Sequence, residues 1–223
     1  MRKVYSRWEH MFAIWEEGTS MQENLSQKIL DLLDSGRFLT LKEIAKLLKM
    51  PEKPVEETLL HLVRLQKMNR RHFAGRDYFQ TTQPQQATSK LSAVADDYLD
   101  QRQAAHALGV ARTCYHHLAG KAGVALFDQL LAKKMVVLTA PNVYQLTEKG
   151  RHAFAQFLGR PVHQLNIQTC IDFSERRVHL AGKLGNDVMA KLVVEHQLAL
   201  TQNRRVQVTQ PIKIQPLEVR YAG

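Results

Sequence analysis

One seven-residue segment occurs twice in this chain. His117-Leu118-Ala119-Gly120-Lys121-Ala122-Gly123 returns as His179-Leu180-Ala181-Gly182-Lys183-Leu184-Gly185, with six of seven positions identical at an offset of 62. The register persists downstream. Leu138-Thr139 aligns with Leu200-Thr201, and Tyr144-Gln145-Leu146-Thr147 aligns with Val206-Gln207-Val208-Thr209. A duplication at this spacing divides the second half into two similar small units rather than one large domain. Each copy reads as a long helix, a strand, a turn and a second strand, with turns at Pro141-Asn142 and Asn203-Arg204. The shared motif then lies inside the helix. Glycine there costs about 0.5–1 kcal/mol, which close packing of two helices would offset. The first copy runs on through Thr147-Glu148-Lys149-Gly150 into a helix bearing Phe154, Phe157 and Leu158, and the second finishes in an extended, proline-interrupted tail. Ala-Gly-Lys does not make a phosphate loop, because the upstream glycine and the following Ser or Thr of that pattern are missing.

The first half has a different organisation. Val4, Tyr5, Trp8, Met11, Phe12 and Trp15 lie on one helical face, so residues 1–20 read as an amphipathic helix that packs on its own domain or on a second copy. Ser20 to Glu23 and Thr40 to Glu43 are capping boxes opening two further helices. A tight turn around Pro51 leads to a third helix with Val55, Leu59 and Leu62 inward. Met68 to Gln80 reads as a β-hairpin turning at Gly75, with Phe73, Tyr78 and Phe79 holding it to the helices. Helix-turn-helix followed by a basic hairpin is a winged helix. The expected organisation is therefore a winged helix over 21–82, a linker and helix over 83–107, and winged-helix-like repeats over 108–159 and 160–223. The class is mainly α with small β-hairpins, that is α+β.

Thirty-one Lys and Arg against 21 Asp and Glu leave a net charge of +10, which attracts polyanions. Residues 1–82 carry +3 of it and residues 83–223 carry +7. No apolar run approaches the roughly 20 residues of a spanning helix. The basic Met1-Arg2-Lys3 is followed by Glu9, Glu16 and Glu17, which is no secretory signal. Two cysteines cannot form a disulfide framework, and free thiols suit a reducing cytosol. These features point to a cytoplasmic protein without a membrane partner.

The first 80 residues resemble the arsenic-repressor (ArsR-like) class of winged-helix regulators. The stretches Arg112-Thr113-Cys114-Tyr115-His116-His117, Tyr144 to Arg151 and Cys170-Ile171-Asp172-Phe173-Ser174-Glu175-Arg176-Arg177 resemble the C-terminal region of a longer subfamily of that class. The resemblance spans about residues 21 to 209. It implies a dimeric transcriptional regulator, more often a repressor, that binds double-stranded DNA under the control of a small effector. The subfamily usually carries Asp where His116 stands and Trp where Phe173 stands. The paired-cysteine metal motif of its best-known metal-sensing members is absent.

Two sets of residues are candidates for chemistry. For DNA they are Lys53, Glu57, His61 and Arg64 on the outer face of the presumed recognition helix, and Arg70, Arg71, His72 and Arg76 in the wing. Cations contact phosphates, and Glu can accept from cytosine N4, but Glu52, Glu56 and Glu57 repel the backbone. The basic residues Arg176, Arg177, Lys183, Arg204 and Arg205 of the last repeat offer a second DNA contact or a solvated face. The other set is Cys114, His117, Cys170 and His179, whose thiolates and imidazoles suit zinc or softer ions, thiol redox chemistry, or burial in a core. Against a joint site, Cys114 aligns with Arg176 in the repeat register, and on a helix Cys114 would share a face with His117 alone. Beyond a metal at that set, no cofactor is expected. No paired carboxylates or nucleophile elbow indicate an enzyme. An effector-gated sensor and a winged-helix protein-interaction module without operator recognition remain the other functional classes.

Overall fold

A computed structural model describes residues 22–83, 89–103 and 109–219. The expected terminal helix, the Ser20 cap, most of the linker and the end of the helix that follows it lie outside the described residues. The chain combines helices with short antiparallel strand pairs, the α+β class anticipated, and divides into two compact units at Asp96.

The first unit opens with α1, residues 22–32, which buries Leu25, Ile29 and Leu32. The two-residue strand β1 (Leu39–Thr40) runs directly into α2 (Leu41–Leu48). Thr40 caps α2: its side chain accepts from the Glu43 N–H, and its own N–H donates to the Glu43 carboxylate at 2.8 Å. Lys49, at φ 55°, ends that helix in the left-handed region. Helix α3 (Glu52–Arg64) follows with Pro51 as N-cap and Pro54 in the first turn, where a missing N–H forfeits no intrahelical bond. Val55, Leu59 and Leu62 are its buried face. Strands β2 (Met68–Phe73) and β3 (Arg76–Thr81) pair around Ala74-Gly75, and β1 joins the far edge to give the order β1-β3-β2. Tyr78 and Phe79 are buried and Phe73 half-buried. Two helices in a helix-turn-helix, backed by a three-stranded wing, form a winged helix. Helix α4 (Lys90–Asp100) contributes Asp96, which accepts from Ser35 Oγ at 2.9 Å and pairs with Arg37 at 3.4 Å.

The second unit contains the duplication. Its first copy is β4 (Arg112–Cys114), β5 (His117–Ala119), α5 (Gly120–Ala132), β6 (Val136–Ala140) and β7 (Val143–Leu146), extended by α6 (Glu148–Leu158) and β8 (Asn166–Ile167). Its second copy is β9 (Thr169–Ile171), β10 (Val178–Leu180), α7 (Gly182–Val194), β11 (Leu198–Leu200) and β12 (Val206–Val208). A last hairpin, β13 (Ile212–Ile214) and β14 (Leu217–Val219), stands where an extended tail was expected; Ile212, Ile214, Leu217 and Val219 are all buried, which fixes the tail in place.

The structure also corrects the position of the repeated motif. Its histidines lie in strands, not within the helix. Gly120 at φ 78° and Gly182 at φ 64° are the points where strand becomes helix, a backbone state that other residues adopt only under strain. Gly123 and Gly185, one turn later, do allow a close approach, but of helix to strand rather than of helix to helix. A Cβ on Gly185 would sit 2.9 Å from the Leu180 carbonyl oxygen and 3.1 Å from the His117 Cβ. A Cβ on Gly123 would collide with the Leu118 carbonyl oxygen and lie 3.7 Å from the His179 Cβ. Each helix thus packs on its own strand and on the histidine strand of the other copy.

One departure from the repeat ties the copies together. The hairpin β4–β5 turns in two residues, whereas β9–β10 carries the six-residue loop Asp172 to Arg177. The Asp172 carboxylate is fully buried and accepts from Arg112 Nη2 at 2.6 Å, from the Gly120 N–H at 2.7 Å, and from the Ser174 N–H, Ser174 hydroxyl and Glu175 N–H at 2.9 Å. Two of those donors belong to the other copy, and Gly120 is the start of α5, where an anion suits the helix dipole. Burial acts to raise the Asp172 carboxyl. The Arg112 charge, the Glu175 and Gly120 N–H groups and His179 outweigh it and hold the group below its ordinary 3.8.

Overpacking at Gly123 is testable: Gly123→Ala lowers the unfolding free energy by about 1–3 kcal/mol, and Gly185→Ala lowers it less, as read from denaturant midpoints. Asp172→Asn leaves Arg112 buried without its counter-charge and costs about 3–5 kcal/mol. Because the folded Asp172 pKa is depressed, its stabilisation is complete above the unfolded carboxyl value and is lost as pH falls through the folded value beneath it. Acid unfolding of the wild type therefore includes a component below pH about 4 that the variant lacks.

Candidate functional site

The winged helix presents its expected DNA-facing side chains on two elements. On α3, Lys53, Glu57 and Arg64 are exposed and His61 is half-buried, with Leu60 exposed between them. Glu52 and Glu56 are exposed on the same helix, so its outer surface carries both signs of charge. In the wing, strand alternation places Arg70 and His72 on one face, and Asp77 lies directly opposite His72 in the register. Asp77 accepts from Arg70 at 2.5 Å and lies 3.0 Å from His72 Nδ1. The hydrogen bonds from Arg70 and His72 hold the Asp77 carboxyl below its ordinary value, and Asp77 in turn raises Arg70, with a further contribution from Glu56. Asp77 therefore engages two of the four basic residues of the wing. It is absent from the residues that the sequence pattern singles out, although its place beside Gly75-Arg76 in a basic hairpin is a visible signal. Arg71 stands opposite the buried Tyr78, and Arg76 is exposed beside the turn.

The cations of the last repeat have varied surroundings. Arg176 is buried, Arg177 pairs with Asp128 at 3.4 Å, and Lys183 pairs with Asp187 at 3.0 Å. Arg204 donates to the Thr113 carbonyl at 3.0 Å, and the Thr113 N–H donates to the Arg204 carbonyl at 2.8 Å. Together with the Arg112–Arg205 bridge, these bonds join the β11–β12 turn of the second copy to β4 of the first. Arg204 thus ties the two copies together, whereas Lys183 and Arg177 remain exposed in their ion pairs.

Cys114, His117, Cys170 and His179 converge. The sequence alignment that set Cys114 against Arg176 fails because the 172–177 loop lengthens the second hairpin. In strand register Cys114 faces His117 across β4–β5, and Cys170 faces His179 across β9–β10. Cys114 and His117 are thus cross-strand partners rather than neighbours on a helix, and each copy supplies one cysteine and one histidine. The Cys114 and Cys170 sulfurs are 3.9 Å apart, and the two imidazole rings are 5.0 Å apart centre to centre. One ligand atom from each of the four residues lies within 4.8 Å of the other three. Cys170, His117 and His179 are buried and Cys114 is half-buried, whereas His116 is exposed on the turn. The neighbouring Cys170 sulfur does most to hold the Cys114 thiol below its ordinary 9.0; burial opposes this, and His117 and His179 add to it. His117 Nε2 and both ring nitrogens of His179 are buried with no hydrogen-bond partner. The nearest carboxylate oxygen to His179 Nδ1 is 3.9 Å away on Asp172, beyond hydrogen-bonding range.

Among the described residues no helix is long and apolar enough to cross a membrane. No family model matches the chain. It is 33% identical over 113 residues to an uncharacterized HTH-type transcriptional regulator, YdfF, of Bacillus subtilis (strain 168), a match covering 48% of this chain. The chain spans about half the length of the curated relative it matches. Among solved structures, a mutant of Lactococcus lactis ZitR in its apo form aligns with 71% of this chain and 95% of its own, at 14% identity and a TM-score of 0.25.

Proposed function

We propose that this chain is a sequence-specific, DNA-binding transcriptional regulator, a repressor of the ArsR-like class acting as a cytoplasmic homodimer on double-stranded DNA. The observation that carries this reading is the winged helix itself: a capped α2, a proline-led α3 with polar side chains outward, and a basic hairpin beside them. The similarity to a protein named as an HTH-type transcriptional regulator supports it over about half of the chain. In this reading α3 enters the major groove and the wing follows the backbone. Lys53, Arg64, Arg71 and Arg76 neutralise phosphates, while Glu57 and His61 meet base edges. The acidic side chains of α3 lower the affinity for arbitrary DNA and raise the weight of correct base contacts. A dimer reads a pseudo-palindromic operator, since half-sites mirror the protein's own symmetry.

The test is selection of bound sequences from a random duplex pool by the full chain, followed by affinity measurements across a salt series. An enriched palindromic site is expected. Changing Arg70, Arg71 and Arg76 together to Ala should weaken binding by at least about 10-fold and reduce the salt slope by about one for each phosphate no longer neutralised. Asp77→Asn should do the opposite at low salt, because it releases Arg70 and His72 toward the backbone. Sequence-indifferent binding, or a triple variant that binds like wild type, would assign the scaffold to protein interaction instead.

A further inference from the structure

We infer that Cys114, His117, Cys170 and His179 bind one divalent metal ion of the zinc class, held between the two copies of the repeat. Four ligand atoms from four side chains already lie within 4.8 Å of one another. In a tetrahedral site with Zn–S bonds of about 2.3 Å, two sulfurs stand about 3.8 Å apart. The Cys114 and Cys170 sulfurs are separated by 3.9 Å. Thiolate with imidazole is the donor set that borderline and soft ions prefer, and Ca2+ or Mg2+ would require oxygen ligands that the cluster lacks.

A second, independent observation also points to a ligand. Both histidines are buried, and His117 Nε2, His179 Nδ1 and His179 Nε2 have no hydrogen-bond partner. Buried polar atoms left unpaired are costly and need a reason. A metal ion engages a nitrogen of each ring. A Cys114–Cys170 disulfide would draw the sulfurs together to about 2.05 Å and satisfy neither ring. The proton balance is also favourable for a buried site: two thiols release two protons, two neutral imidazoles donate lone pairs, and a dication with two thiolates is neutral overall. With four protein ligands no coordination position is left for substrate, so the ion is structural rather than catalytic. Each copy contributes one cross-strand Cys–His pair, and the ion therefore joins hairpin β4–β5 to hairpin β9–β10.

The inference concerns the second unit and is independent of operator binding, so its test uses no DNA. The reduced, metal-free 223-residue chain is titrated anaerobically with Co2+ and then with Zn2+. One equivalent of Co2+ should give thiolate-to-cobalt charge-transfer absorption and tetrahedral d–d bands, and Zn2+ should abolish both. Zn2+ should also raise the melting temperature and protect both cysteines from alkylation. Cys114→Ser and His179→Gln should lose the bands, with circular dichroism showing that the variants remain folded. His116→Ala, on the exposed turn, should retain them. The protection assay on wild type keeps the test decisive if a buried variant fails to fold. Absence of tetrahedral bands in the folded wild type, or bands that persist in both ligand variants, overturns the inference. So does rapid closure of a Cys114–Cys170 disulfide by mild oxidant in the presence of excess Zn2+.

Discussion

The second unit depends on one buried carboxylate. Asp172 lies out of contact with water and gathers a guanidinium, two hydroxyl or amide donors from Ser174, one amide from Glu175 and the first amide of α5. Burying a carboxylate costs several kcal/mol, and that cost is offset only when its lone pairs are filled and its charge is matched. Here both conditions hold. The donors come from both copies of the repeat, so the interaction that satisfies Asp172 also fixes their relative position within the unit. Such a pair contributes specificity of arrangement as much as stability, because removing either partner strands the other.

The same positioning brings the cysteine–histidine cluster together. The two hairpins present Cys and His as directly opposed cross-strand partners, so each pair is set by local register alone. Gly185 allows α7 to approach the histidine strand of the other copy closely. A Cβ on Gly185 would press on the His117 Cβ at 3.1 Å, whereas one on Gly123 would collide with the Leu118 carbonyl oxygen of its own copy and meet the His179 Cβ at an ordinary 3.7 Å. Duplication therefore supplies two Cys–His pairs, and the packing of one copy on the other brings them within 4.8 Å.

Residues 1–82 carry only +3 of the net charge of +10, with acidic side chains set among the basic ones. Asp77 pairs with Arg70 and bonds His72, and Glu52, Glu56 and Glu57 line α3. In the second unit Arg112, Arg177, Lys183 and Arg204 have partners within the chain. The net count already subtracts these acids; what pairing decides is where on the surface positive charge is presented. For this protein, pattern and topology carry the proposed DNA binding further than composition does.

The sequence alone determined the local elements of the first unit. The Thr40–Glu43 cap, the apolar spacing of α3 and the turn at Gly75 act within a few residues, so their effect is readable from neighbours in the chain. It also revealed the duplication, since a repeat is a comparison of the chain with itself. The tertiary structure decided where the repeated motif lies, because an apolar run of three or four residues fits a strand as well as a helix until its pairing partner is known. It decided the equivalence of Cys114 and Cys170, which the six-residue loop hides from a fixed offset. It decided, too, that Arg112 and Asp172 meet. Those residues are 60 positions apart, and nothing local distinguishes them from surface charges. Only the packing of one copy against the other removes them from water and makes each necessary to the other.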